Sequence, residues 1–238
     1  MIKILFIFFL LPCLAHAQLQ GIGIFKINKS TTSLIDSISI QSSVPIEKTE
    51  KDILMIVYQS LGSHLTNKII EVKRDSNDYY GGTSESFLQK NVRVFYINYY
   101  KVVDIDIEDI FLTFYKDTLV QFKCKSSSDF VYALNIKYGK PEVKRTEKTI
   151  LCQNGYGATT THEEHTRYSS WNTKYKNISA NEIDHLWYDT DDCKPMLIRE
   201  FFLKDEFKKS KIDKIEHTIM TKIEIQKNKR ASKNLKDF

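Results

Sequence analysis

The side chains best equipped for chemistry in this chain are three histidines. His162-Glu163-Glu164-His165 sets two imidazoles three residues apart, and His185 follows further along. Imidazole nitrogens ligate divalent metals, and a bound metal would activate water for hydrolysis. On a helix His162 and His165 would share a side; on a strand they would point to opposite faces. The spacing departs from the zinc-protease pattern, which needs two His four apart with Glu beside the first. The neighbouring Thr159-Thr160-Thr161 disfavours a helix. His162, His165 and His185 therefore stand as weak metal candidates beside a simpler reading as a solvated polar strand.

Other constellations carry less. Asp189-Thr190-Asp191-Asp192 has Glu200 at the twelfth position, as in a calcium loop. Cys193 then falls at the fifth position, and Lys194 at the sixth, where glycine is needed, so the cluster reads as a turn. Asp104, Asp106 and Glu108 alternate with Val103, Ile105 and Ile107 and read as the wet face of a strand. There is no Gly-x-Ser-x-Gly elbow, and Tyr80-Gly81-Gly82-Thr83 lacks the Lys-Ser/Thr ending of a phosphate loop. No catalytic or cofactor-binding residue is assigned, and no cofactor is expected.

The first seventeen residues read as an export signal. Lys3 gives a positive start, residues 4–11 an apolar run too short to span a bilayer, and Ala15-His16-Ala17 a cleavage site before Gln18. Cys13 is a poor acylation site, because Pro12 stands where a small residue belongs. Export permits disulfides. Of the three cysteines beyond the signal, Cys124 alternates with Val120 and Phe122 and reads as a buried, inert thiol. Cys152 and Cys193 lie near expected strand ends beside polar loops, and are the expected disulfide pair.

The elements that must position these groups follow from periodicity. Residues 21–27 predict a strand, and Ser30 or Thr31 a cap for a helix bearing Leu34, Ile35 and Ile38. A second helix is expected over 50–61, a strand over 68–74 and a polar loop over 75–86. Residues 92–97, 103–108, 110–115 and 119–125 read as strands, the last two joined by a turn at Lys116-Asp117. Residues 126–128 cap a helix with Phe130, Val131, Leu134 and Tyr138, which ends at a left-handed Gly139 before Pro141. An antiparallel meander is expected over 143–153, 164–175, 182–188 and 196–204, with Trp171 and Trp187 in the core. Ile212, Ile215, Ile219 and Ile223 predict a helix, and residues 228–238 a frayed end.

The reading is an α+β fold, with antiparallel sheet, a few short helices and a C-terminal basic helix. It divides into a signal over 1–17, an N-terminal α+β segment over 18–90, an antiparallel-sheet core over 91–205 and a basic tail over 206–238. Residues 18–205 could form one domain. The formal charge of +5 is concentrated in the tail, where residues 204–238 hold eleven Lys/Arg against six Asp/Glu. Nucleic-acid binding is disfavoured, since the aromatic residues lie in the body and the excess charge in the tail. Acids interspersed in the tail fit a solvated helix, with contact to an anionic surface as the sharper alternative.

Three signatures carry a resemblance: Gly21-Ile22-Gly23-Ile24-Phe25-Lys26-Ile27, Leu112-Thr113-Phe114-Tyr115-Lys116-Asp117-Thr118-Leu119 and Lys137-Tyr138-Gly139-Lys140-Pro141. In this order the chain resembles uncharacterised exported proteins of Gram-negative bacteria, in which a hairpin feeds a helix ending in Tyr-Gly-x-Pro. The resemblance implies export and an α+β fold, and no activity. The leading expectation is thus an exported, periplasmic or secreted, non-enzymatic module that binds a protein or envelope component. The alternatives are a periplasmic inhibitor or immunity-type protein, and a metal-dependent hydrolase using His162, His165 and His185.

Overall fold

The computed structural model describes residues 18–49, 67–73, 87–153, 157–189 and 193–234. The signal, the helix expected over 50–61 and the loop expected over 75–86 lie outside the described residues. Eleven strands and three helices occur among the described residues. In chain order they are β1 (Gly21–Ile22), β2 (Phe25–Lys26), α1 (Ser33–Ser42), β3 (Ile46–Thr49), β4 (Ile69–Val72), β5 (Val92–Val102), β6 (Ile105–Tyr115), β7 (Thr118–Lys125), α2 (Ser128–Tyr138), β8 (Glu142–Gln153), β9 (Thr159–Trp171), β10 (Ile178–Tyr188), β11 (Pro195–Asp205) and α3 (Glu206–Asn234).

Nine strands form one sheet in the order β3-β4-β5-β6-β7-β11-β10-β9-β8. The β3–β4 pairing is parallel and the others are antiparallel. The sheet crosses the boundary set near residue 90 from sequence, because β4 pairs with β5.

Both faces of the β4–β7 half are covered. On one, Ile69, Phe95, Ile97, Leu112, Phe114 and Phe122 pack beneath α1, α2 and the β1–β2 hairpin. Phe25 meets Phe122 at 5.5 Å between ring centroids, and Phe130 of α2 meets Phe201 edge-on at 5.1 Å. Each such fully buried ring contributes roughly 1.5–3 kcal/mol. On the other face Ile70, Val72, Val94, Tyr96, Phe111 and Val120 pack with Ile212 of α3.

Local chemistry explains where the elements begin and end. Gly23, at φ +54°, turns the chain back on itself, so residues 21–27 form a small hairpin rather than one strand. Ser30 closes that turn, accepting from the Lys26 amide at 2.9 Å and donating to the Ile24 carbonyl at 3.0 Å. It therefore does not cap α1, and neither does Thr31. The N-cap is Thr32, which makes no capping bond through its own side chain. Instead the Asp117 carboxylate, from the β6–β7 turn, accepts from the Thr32 amide and hydroxyl. These bonds hold the Asp117 carboxyl below its ordinary range.

The Lys116-Asp117 turn forms as expected, with φ of 48° and 62°, the positive pair that fits a tight hairpin. Ser127 caps α2, accepting from the Phe130 amide at 3.2 Å. Gly139 ends α2 with φ 85° but with ψ 175°, an extended exit rather than the left-handed helical one. Residues 103–108 and 110–115, expected as two strands, lie almost wholly in the single strand β6, with Val103 and Asp104 in the turn before it. Asp109, at φ 52°, shifts the alternation midway: Ile105 and Ile107 before it and Ile110, Leu112 and Phe114 after it all reach the same core. α3 begins where the buried Asp205 accepts from the Lys208 amide at 2.9 Å. It runs to Asn234, correcting the expectation of a frayed end from residue 228.

Candidate functional site

The β8–β11 half differs from the rest of the sheet. β11 pairs with β7 only through Glu200–Lys204, so Pro195–Arg199 runs past the end of β7. At about 3.4 Å per residue, β11 and the strands beyond it extend roughly 17 Å past the end of β7 as a leaf. The root of the leaf is buried, where Trp171, Ile178, Ala180, Phe201 and Leu203 join the core. Val143 and Tyr168 near the root, and Leu151, Met196, Leu197 and Ile198 toward the tip, are exposed.

Register assigns the faces. Thr166 pairs with His185 and Tyr168 with Ile183, while His185 pairs with Ile198 and Trp187 with Met196. Tyr168, Ile183, His185, Trp187, Met196 and Ile198 therefore share one face. Two ring pairs are ordered on the leaf. His185 stacks on Trp187 at 4.9 Å, and the Thr166 hydroxyl lies 2.8 Å from His185 Nδ1. His162 stacks on Tyr188 at 4.2 Å, with the Thr160 hydroxyl 2.9 Å from its Nε2. Trp187, expected in the core, is only half-buried, whereas Trp171 is buried as expected.

The opposite face carries a charge cluster near the root. Arg167 Nη2 lies 3.0 Å from Asp184 Oδ2 and 3.7 Å from Glu182 Oε2, and Arg199 Nε lies 3.3 Å from Asp184 Oδ1. The Ser126 hydroxyl donates to Glu182 Oε1 at 2.6 Å. Both carboxylates are buried, and two guanidiniums balance their charge. Removing one partner would strand a buried charge, so the cluster locks the leaf onto the segment that enters α2.

The histidines do not come together. His165 pairs with Leu186 and His185 with Thr166, so they face opposite sides of the leaf. His162 and His165 are opposed on β9 for the same reason. Among the described residues, no group of three or more His, Cys, Asp or Glu is placed to hold a metal. Cys152 and Cys193 are disulfide-bonded, tying the end of β8 to the β10–β11 connection across the leaf tip. Cys124 is free and buried.

The leaf thus offers a stapled, aromatic-rich sheet with no covering layer and no assembled nucleophile, base or metal centre among the described residues. Sequence reading placed its strands and missed its exposure. The one available signal was that residues 142–149 of β8 alternate no apolar set against a polar one, as an uncovered edge strand does. No helix among the described residues is long and apolar enough to cross a membrane. Comparison with known protein families, curated proteins and solved structures finds no match for this chain.

Proposed function

We propose that this chain is an exported, non-enzymatic binding module that engages a protein partner through the face of the leaf bearing Tyr168, His185, Trp187, Met196 and Ile198. The observation that supports this reading is the contrast within one sheet. The β4–β7 half is covered on both faces, while no helix or second sheet layer covers the leaf's His185 and Trp187 rings among the described residues. Aromatic residues and Met are the types enriched where proteins meet, and a rigid sheet presents them at low entropic cost. Two structural devices maintain that rigidity, the Cys152–Cys193 staple at the tip and the Arg167–Glu182–Asp184–Arg199 cluster at the root.

An inhibitor or immunity-type role is the special case in which the partner is an enzyme. Site-specific photo-crosslinking in cells tests the reading. A photoreactive residue at Tyr168 or Met196 is expected to yield a discrete protein adduct, and one at the more exposed Tyr132 of α2 is not. Adducts from all three positions alike, or from none, would defeat it. Adducts with a second copy of the chain would assign the leaf to self-association instead.

A further inference from the structure

A second candidate site lies between elements that carry two of the signatures noted in the sequence, residues 21–27 and 137–141. A cleft of about 140 Å³ opens between the β1–β2 turn, the β5–β6 turn and α2. Its walls are the carbons of Ile22, Val102, Ile107, Phe130 and Leu134. A dry cavity of about 150 Å³ with such walls takes a benzene-sized group. Tyr138, also at the cleft, uses its hydroxyl to donate to the Gly21 carbonyl at 3.4 Å. That leaves the ammonium of Lys137, which lies over the Tyr138 ring at 5.4 Å, as the polar group available to a ligand.

Lys137 is not alone. The stem of Lys26 crosses Gly21, where its Cδ lies only 2.6 Å from where a side chain on that glycine would begin. Burial, with the charges of Lys137 and Lys29, holds the Lys26 ammonium below the ordinary lysine range. None of these three lysines has a carboxylate partner among the described residues. A lysine in the last turn of a helix is favourable by itself, which accounts for Lys137. Lys26 adds positive charge within electrostatic range of it.

The mouth of the cleft has its own cost. Val103 lines it from the β5–β6 turn, almost fully exposed and at φ 58°. A β-branched residue in the left-handed region is strained, and Gly or Asn would serve the turn better. What Val103 adds over those residues is an aliphatic side chain at the cleft rim.

We propose that this cleft binds a small amphiphilic anion, an apolar group of about benzene size carrying a carboxylate, with the apolar group against Ile107, Phe130 and Leu134 and the carboxylate at the ammonium of Lys137. Titration of the purified, isotope-labelled protein with phenylacetate, followed by NMR, tests it. Saturable shifts are expected at the amides of Ile22, Val103 and Leu134, with phenylacetamide binding at least five-fold more weakly. Lys137→Gln is expected to weaken phenylacetate by a similar factor and to leave the amide unchanged. Val103→Gly relieves the turn, so it is expected to hold or raise the melting temperature while weakening phenylacetate. Absence of saturable shifts, equal binding of acid and amide, or unchanged affinity in Lys137→Gln would overturn the proposal. A Val103→Gly protein that binds as the parent does would remove Val103 from the site.

Discussion

Cys124 lies fully buried in β7, and burial pushes its thiol well above the ordinary range, aided by the charges of Glu200, Asp109 and Glu182. A thiol kept protonated and covered is neither a nucleophile nor a metal ligand. In the native, oxidised protein it is expected to resist a disulfide-exchange reagent and to react only at the rate of unfolding. Fast labelling of one thiol in native buffer would contradict this. Glu71 is the opposite case. Burial would raise its carboxyl, but the hydrogen bond from Arg93 Nε at 2.8 Å and the charge of that guanidinium outweigh it and bring the group below its usual value. A lowered carboxylate adds stability above its unfolded pKa and loses it as pH falls through the folded one. Glu71→Gln should therefore cost about 1 kcal/mol at neutral pH, and the gap from the parent should close as pH falls below about 4. Denaturant titrations at pH 7 and pH 3.5 read both arms. A gap that is equal at the two values would show that it does not come from the ionised carboxylate.

The residues also show what sequence can and cannot carry. The spacing of His162, His165 and His185 is visible at once, but whether imidazoles converge depends on register. Here register sets His165 and His185 back to back. Glu182 and Asp184, two apart in an expected strand, were bound to share a face; that Arg167 and Arg199 would meet them was not readable without the pairing of β9 and β11 to β10.

Among the elements, those specified by local chemistry were legible. The Lys116-Asp117 hairpin, the Ser127 cap, the Gly139-x-Pro141 stop and the isoleucine helix of the tail are all fixed by residues within a few positions of each other. Those specified at a distance were not. The cap of α1 comes from Asp117 on another hairpin, and the shift in β6 rests on one residue, Asp109, whose carboxylate accepts from Tyr96 on β5 at 2.7 Å. The leaf is the clearest case: alternation marks a strand face as able to pack, not as packed. Its staple yields a prediction at this scale. Replacing both Cys152 and Cys193 with Ser should cost about 2–4 kcal/mol, the usual range for a closed loop of such length. Because the tip lies past the end of β7, hydrogen exchange should rise at the end of β8 and the first residues of β9 and β11 while the amides of Phe95 and Phe122 stay protected. Loss of protection in both regions together would show that leaf and body unfold as one unit.

For the whole molecule, α3 is where structure and charge divide. Its first half is anchored: Ile212 is buried among Val94, Tyr96 and Phe111, and buried Glu216 accepts from the Leu88 amide at 2.8 Å. Residues 228–232 are exposed, although the helix continues through them. Deleting residues 228–238 should move the melting temperature by no more than about 1–2 °C. Ile212→Ala should cost about 2–4 kcal/mol. Calorimetry distinguishes the two; a large drop on truncation would mean that the basic end docks on the body.

The seam between β7 and β11 has a kinetic consequence. β5–β7 and β8–β11 are each meanders of sequential hairpins, closed by short loops and quick to form. They meet through five pairings, from Gln121 with Lys204 to Lys125 with Glu200, between stretches far apart along the chain. Loop-closure entropy makes that join the slow event, since neither meander rewards it until Phe122, Phe201 and Leu203 come into register. While they wait, β7 and β11 each offer a bare apolar edge, the arrangement in which one chain borrows the partner strand of another. Refolding should therefore show a rapid phase in which the hairpins appear, followed by one concentration-sensitive phase as the seam closes, with swapped dimers increasing as the protein is made more concentrated.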